Sequence, residues 1–102
     1  MAISLQVLYP AGPGTRFDHA YYAETHMALV DKHLGPFLVS AQATKGLSGG
    51  PDKLPGFHAV FTAVFENQDK FRAAMAEAGP VLADISNYTD VEPQMLIGEV
   101  IG

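Results

Sequence analysis

Apolar and polar positions in this chain switch between two periods. From Ala2 to Tyr9, Ile3, Leu5, Val7 and Tyr9 fall on one side and Ala2, Ser4, Gln6 and Leu8 on the other. Alternation of this kind predicts a strand. "PAGPGTRF" breaks it with two prolines and two glycines, and Asp18 offers a side-chain cap for a helix. From His19 to Leu34 the period is helical: His19, Tyr22, Ala23, His26, Leu29, Val30 and His33 share one face at about 100° per residue. Gly35-Pro36 is a helix stop.

Phe37 to Gly46 reads as a second, less regular strand. "GLSGGPDKLPG" is then a connection longer than an ordinary hairpin turn, either mobile or part of a site. In "FHAVFTAVFEN", Phe57, Ala59, Phe61, Ala63 and Phe65 take one face, and His58, Val60, Thr62 and Val64 the other. Both faces are apolar, which predicts cover on both sides. Asn67 caps a second helix with Phe71, Ala74, Met75, Ala78, Val81, Leu82 and Ile85 inward, and Gly79-Pro80 kinks or restarts it. "VEPQMLIGEVI" supplies a last strand, with Pro93 near its start.

The order strand, helix, strand, strand, helix, strand predicts an α+β, ferredoxin-like βαββαβ unit in one domain spanning residues 1–102. Right-handed crossovers put both helices on one face of a four-stranded antiparallel sheet. Composition then changes the picture. Only 17% of the 102 residues are charged, below the roughly 25% of typical chains. The bare sheet face would leave roughly six apolar side chains wet, forgoing about 1.5–3 kcal/mol each. A homodimer joined sheet to sheet is the expected remedy.

Charge excludes other classes. The net charge is −5 and the six lysines and arginines are scattered, so no basic patch exists for a nucleic-acid backbone. No apolar run has the roughly 18 residues of a membrane span, and "MAISLQVLYP" lacks the charged start of a signal peptide. A cytoplasmic protein without membrane partners is expected. The chain contains no cysteine, which removes thiolate chemistry and cysteine-ligated metals.

Two stretches carry a family resemblance. "FDHAYYAETHMALV" and "ADISNYTDVEPQMLIGEV" resemble the N- and C-terminal signatures of the EthD family, named for ethyl tert-butyl ether degradation. One departure is visible: the family usually reads His-x-Pro-Leu where this chain has His26-Met27-Ala28-Leu29. The resemblance implies the dimeric α/β-barrel superfamily, in which two ferredoxin-like subunits join sheet to sheet with helices outside. It also implies a range of activities: lactone isomerases, polyketide cyclases or dehydratases, cofactor-light monooxygenases, and heme-binding proteins. The founding member accompanies a cytochrome P450 ether-oxidation system, so an oxygenase system is an implied partner.

Candidate chemistry centres on the first helix, which holds three of the four histidines. His19, His26 and His33 recur every seven residues, a separation of about 10.5 Å along a helix axis. Zinc–nitrogen bonds of about 2.0–2.1 Å cannot span that gap, so no metal site is expected. His19 sits at the helix start, where a cation meets the dipole unfavourably and a neutral, partly exposed ring is expected. His33 suits the last turn as a cation.

Tyr22 and His26 are neighbours four apart on the inward face. An imidazole titrating near pH 6.5 can exchange a proton at physiological pH, and a phenol beside it can orient a substrate oxygen. His58 is a candidate partner from the sheet, depending on register. The competing reading makes Tyr22 and His26 core groups bonded to backbone carbonyls. Aspartates and glutamates occur singly, Tyr88 reads as packing, and the phenylalanines of the third strand read as core.

The expectation is therefore a cofactor-independent proton-transfer enzyme, an isomerase, cyclase or dehydratase, acting on a small hydrophobic metabolite. His26, Tyr22 and His58 are its site residues. The alternatives are a non-catalytic accessory protein of an oxidoreductase in xenobiotic degradation, and a heme-binding or monooxygenase-like protein with an imidazole on the iron.

Overall fold

The alternation of the first segment becomes β1 (Ile3–Pro10), in which every second residue, Ile3 to Tyr9, is buried. The computed structural model describes residues 1–102. Three further strands follow: β2 (Leu38–Lys45), β3 (Phe57–Phe65) and β4 (Gln94–Glu99). They form one antiparallel sheet in the order β2-β3-β1-β4, the ferredoxin-like arrangement predicted from element order. The register pairs Leu5 with Ala63 and Ile97, and Val7 with Phe61 and Met95. The inward residues of three strands thus lie side by side.

All helices cover that inward face. α1 (His19–Tyr21) begins at Asp18, whose side chain accepts from the Tyr21 backbone N–H. It passes through a π-helical stretch, Tyr22–His26, into α2 (Met27–Leu34). The Met27 N–H donates to the Tyr22 carbonyl five residues back, a wide turn of a kind frequent at functional sites. Periodicity alone predicted a plain helix here. Gly35–Phe37 then winds into a 3₁₀ turn.

α3 (Gln68–Ala76) is capped by Asn67, which accepts from the Lys70 N–H. α4 (Gly79–Ala83) is a separate helix with Pro80 in its first turn. Pro80 has no N–H to donate, and the first turn is where none is required, so the chain restarts rather than kinks. Val30 and Leu34 of α2, Ala74 of α3 and Val81 of α4 close the core over Leu5, Val7, Phe61 and Phe65.

Two irregularities matter for the site. Tyr9 pairs with Ala59 but Pro10 pairs with Phe57, which leaves His58 as an extra residue on β3. Pro10 offers no N–H to the ladder, and the bulge re-aims the side chain. The expectation that His58 shares a face with Val60 and Thr62 is therefore corrected. Its ring stacks on Phe17 at 5.6 Å and stands 6.5 Å from the His19 ring, on the side of the first helix.

The second irregularity ties the loop before α1 to the chain's last turn. Asp18 N–H donates to the Tyr88 carbonyl at 2.8 Å, and the Thr89 hydroxyl to the Arg16 carbonyl at 2.7 Å. These bonds hold the start of the first helix against the segment that follows α4.

The sheet's other face has no cover. Leu8, Val60 and Val64 are half-buried, and Leu96 of β4 is exposed.

Candidate active site

The site is assembled from three elements. β1 brings Tyr9, the π-helical stretch brings Tyr22 and His26, and the turn after α4 brings Asp84 and Tyr88. His26 is buried, and its Nδ1 lies 3.0 Å from Asp84 Oδ2. The other carboxylate oxygen, Oδ1, accepts from the Tyr21 hydroxyl at 2.6 Å and from Asn87 Nδ2 at 2.9 Å. Burial pushes the Asp84 carboxyl up, but hydrogen bonds from Tyr21, Asn87 and His26, with attraction to the imidazole, outweigh it and hold it below the ordinary range. The group is a carboxylate at neutral pH.

An ionised carboxylate only accepts, so the proton in the His26–Asp84 contact belongs to Nδ1. Burial holds the imidazole below its ordinary range despite the pull of Asp84. The neutral ring then has its lone pair on Nε2. The Tyr88 hydroxyl, 3.3 Å away, donates to it. Tyr88 in turn accepts from the Tyr9 hydroxyl at 2.7 Å. Burial raises both phenols, so both remain donors. The result is a directed chain in which Tyr9 donates to Tyr88, Tyr88 to His26, and His26 to Asp84.

His26 and Tyr9 also line a cavity of about 100 Å³ between sheet and helices. Its walls are otherwise apolar, with Leu5, Val7 and Phe61 below and Val30, Leu34 and Val81 above. Leu82 and Met95, each 51% exposed, stand at its mouth. An apolar cavity of about 150 Å³ accepts benzene, so this one suits a ligand of at most about one ring. At its wall Tyr9 is linked through Tyr88 to a neutral imidazole oriented by a buried carboxylate, and this chain can take a proton from an acidic C–H or O–H and return it elsewhere.

The predicted residues separate in space. Tyr22 is buried and stacks on His26 with ring centroids 5.4 Å apart and 16° between planes. It lies behind the imidazole rather than in the cavity, so Tyr9 is the phenol on the cavity wall. The Tyr22 hydroxyl is buried without a hydrogen-bond partner, and burial pushes its pKa up. Such an orphan costs about 1–3 kcal/mol. His58 does not join His26: its Nε2 is 2.9 Å from the Thr15 hydroxyl, with Phe17 between it and the Tyr22 ring.

Asp84 and the Tyr9 and Tyr88 hydroxyls are the functional groups that sequence reasoning missed. One signal was present: an acid at the C-terminal end of a helix opposes the helix dipole, which calls for a tertiary partner. No three histidine, aspartate or glutamate side chains converge as a metal site would require. A heme does not fit at His26, since both ring nitrogens are engaged and the cavity of about 100 Å³ is too small for a porphyrin.

A four-stranded antiparallel sheet with its helices on one face, and an imidazole between the layers, defines a ferredoxin-like α+β protein with an enclosed apolar site. The chain belongs to the EthD family: residues 14–92 match the EthD domain. It is similar to an EthD-like protein from Ralstonia eutropha JMP134, with 39% identity, a TM-score of 0.89, and coverage of 99% of this chain and 93% of that one. An ethyl tert-butyl ether degradation (EthD) family protein from Bacillus halodurans C-125 shares 18% identity at a TM-score of 0.67, covering 99% of this chain and all of that one. The cofactor-independent oxygenase SnoaB from Streptomyces nogalater has the same fold at 16% identity and a TM-score of 0.61, with 97% and 91% covered. Comparison with curated proteins gives no match.

Proposed function

We propose that this chain binds a small, largely apolar carbonyl or phenolic compound in the cavity beside His26 and catalyses proton transfer on it. The buried Asp84–His26–Tyr88–Tyr9 chain, ending on an otherwise apolar wall, carries this reading. His26 Nε2 is the general base, reached through two hydroxyls: the substrate proton goes to the Tyr9 oxygen as Tyr9 passes its own to Tyr88 and Tyr88 its own to Nε2. Asp84 is a positioning residue that fixes the tautomer, as a carboxylate does for a catalytic histidine. Tyr9 is the member of the chain on the cavity wall, and Tyr88 links it to the imidazole. Tyr22 braces the imidazole by stacking. His58 has no step in this reaction.

The same first step serves two outcomes. Return of the proton to another atom gives isomerisation, and loss of water or ring closure gives dehydration or cyclisation. A carbanion or phenolate left to react with dioxygen gives a cofactor-independent oxygenase, the activity of the structural neighbour SnoaB. An accessory role would bind the same ligand without turning it over.

Incubating the protein with acetone, a carbonyl compound small enough for the cavity, in D₂O, and following methyl exchange by proton NMR, tests the step. Wild type is expected to accelerate exchange, and His26→Gln to lose about 10²–10⁴-fold while its circular dichroism is unchanged. Exchange that survives in His26→Gln overturns the role of His26. Binding without exchange favours the accessory reading, and oxygen consumption separates the oxygenase from the isomerase.

The exposed sheet face completes the proposal. Leu8, Val60, Val64 and Leu96 stand on it, and a second copy of the chain would cover them. Light scattering is expected to report a dimer for the wild type and a monomer for Leu96→Glu. A wild-type monomer at micromolar concentration contradicts the assembly.

A further inference from the structure

A second concavity, about 360 Å³, lies between β2 and the first helix, on the far side of Tyr22 from the His26 cavity. Alanines make the space. Ala41 and Ala43 of the edge strand face Ala23 and Met27 of the helix, and methyl groups are too short to close the gap. β2 is consequently exposed from Val39 to Lys45. The face of the Tyr22 ring forms part of the wall.

One end of the groove is basic. His19 and Lys45 line it, and the His58 ring stands 6.5 Å from that of His19. Lys45 has no ion-pair partner; the ion pairs in the chain are His26–Asp84 and Arg72–Asp69. Asp18, the acid next to His19, has its carboxylate engaged by the Tyr21 backbone N–H at 3.0 Å. Burial, then Lys45 and His58, hold His19 below the ordinary imidazole range, with Asp18 opposing. At neutral pH the groove end therefore presents an ammonium and a neutral ring. In a chain of net charge −5 with six lysines and arginines, an unpaired cation above an alanine-lined slot is a local reversal of sign.

We infer that this groove is a second ligand site, separate from the His26 cavity, for a small flat monoanion of the aromatic carboxylate class. The ring lies over Ala23, Ala41 and Ala43 against Tyr22, and the carboxylate meets Lys45 and His19. Tyr22, which braces His26, serves here only as wall; Lys45, His19 and the alanines are used by neither the proton-transfer reaction nor the sheet-to-sheet dimer, so the inference stands apart from both.

Benzoate is the probe, with benzamide as its neutral counterpart, on protein labelled at alanine methyls and histidine rings. Benzoate is expected to shift Ala41, Ala43, Ala59 and His19 together, and benzamide to bind about threefold to fivefold more weakly, the scale of one exposed ion pair. Lys45→Gln, a change at an exposed strand position, is expected to reduce benzoate affinity to that of benzamide, and raised salt to do the same in wild type. Equal affinities for benzoate and benzamide overturn the inference, as does unaltered benzoate binding in Lys45→Gln. Shifts confined to the His26 cavity also overturn it.

Discussion

His26 and His58 both sit on the helix side of the sheet among aromatic rings, and they differ in what holds them. His26 is buried, and a carboxylate bonded by three side chains dictates its tautomer. His58 is half-buried, and its Nε2 meets only the hydroxyl of a loop threonine. That hydroxyl gives its one hydrogen to the Gly12 carbonyl at 2.6 Å, so it accepts from His58 Nε2–H, and the lone pair left on Nδ1 belongs to a half-buried ring. His26 is oriented the opposite way, by a charged acceptor and out of solvent. Position on an inward face therefore does not qualify a histidine for chemistry; an oriented, desolvated lone pair does.

The comparison breaks first at Asp84. Asp84→Ala leaves the buried Nδ1–H of His26 without an acceptor and is expected to cost about 2–3 kcal/mol. For a domain of this size that lowers Tm by about 4–8 °C per kcal/mol in thermal denaturation. A Tm within a degree of wild type would mean that Asp84 does not hold His26.

Tyr88→Phe ranks next. It removes the acceptor for Tyr9 and the donor to Nε2, an expected loss of about 1–2 kcal/mol in urea denaturation with the m-value unchanged. No loss would show that the two phenols are not coupled to the imidazole.

Acid should expose the same contrast. His26 has a folded pKa below 6.5, so the unfolded chain binds the proton first, and stability falls as pH drops from about 6.5 toward the folded value. Asp84, held below 3.8, contributes stability that is present above 3.8 and lost as pH falls through its folded pKa. His26→Gln is expected to flatten part of the upper of these two declines in denaturation at stepped pH, the remainder belonging to His19, which is held low as well. An unflattened decline in His26→Gln assigns it to another group.

The smallest effects belong to the unpartnered groups. Tyr22→Phe deletes a buried hydroxyl that bonds nothing and is expected to be neutral or stabilising by about 1 kcal/mol. Thr15→Val, which removes the partner of His58, should change stability by less than about 0.5 kcal/mol. A clear destabilisation from Tyr22→Phe would reveal a partner for that hydroxyl in solution.

Much of the fold was legible because it is written locally. Ile3, Leu5, Val7 and Tyr9 are buried as their alternation predicts, Asp18 and Asn67 accept the N–H groups a cap should, and Pro80 starts a helix. The site was legible in part. Tyr22 and His26, four residues apart, do meet ring to ring. His58 parts from Val60 and Thr62, with which alternation groups it, because a bulge intervenes, and a bulge leaves no mark in the period.

Local period and capping thus determined the elements and their inward faces, because backbone sterics and burial act on neighbours a few residues apart. Element order added the sheet topology. The chemistry was decided elsewhere. Asp84 is 58 residues from His26 and Tyr88 is 79 from Tyr9, and no spacing rule reaches that far. Only the tertiary structure, by crossing the turn after α4 over the first helix, turned an isolated aspartate and a packing tyrosine into the partners that fix a histidine's proton.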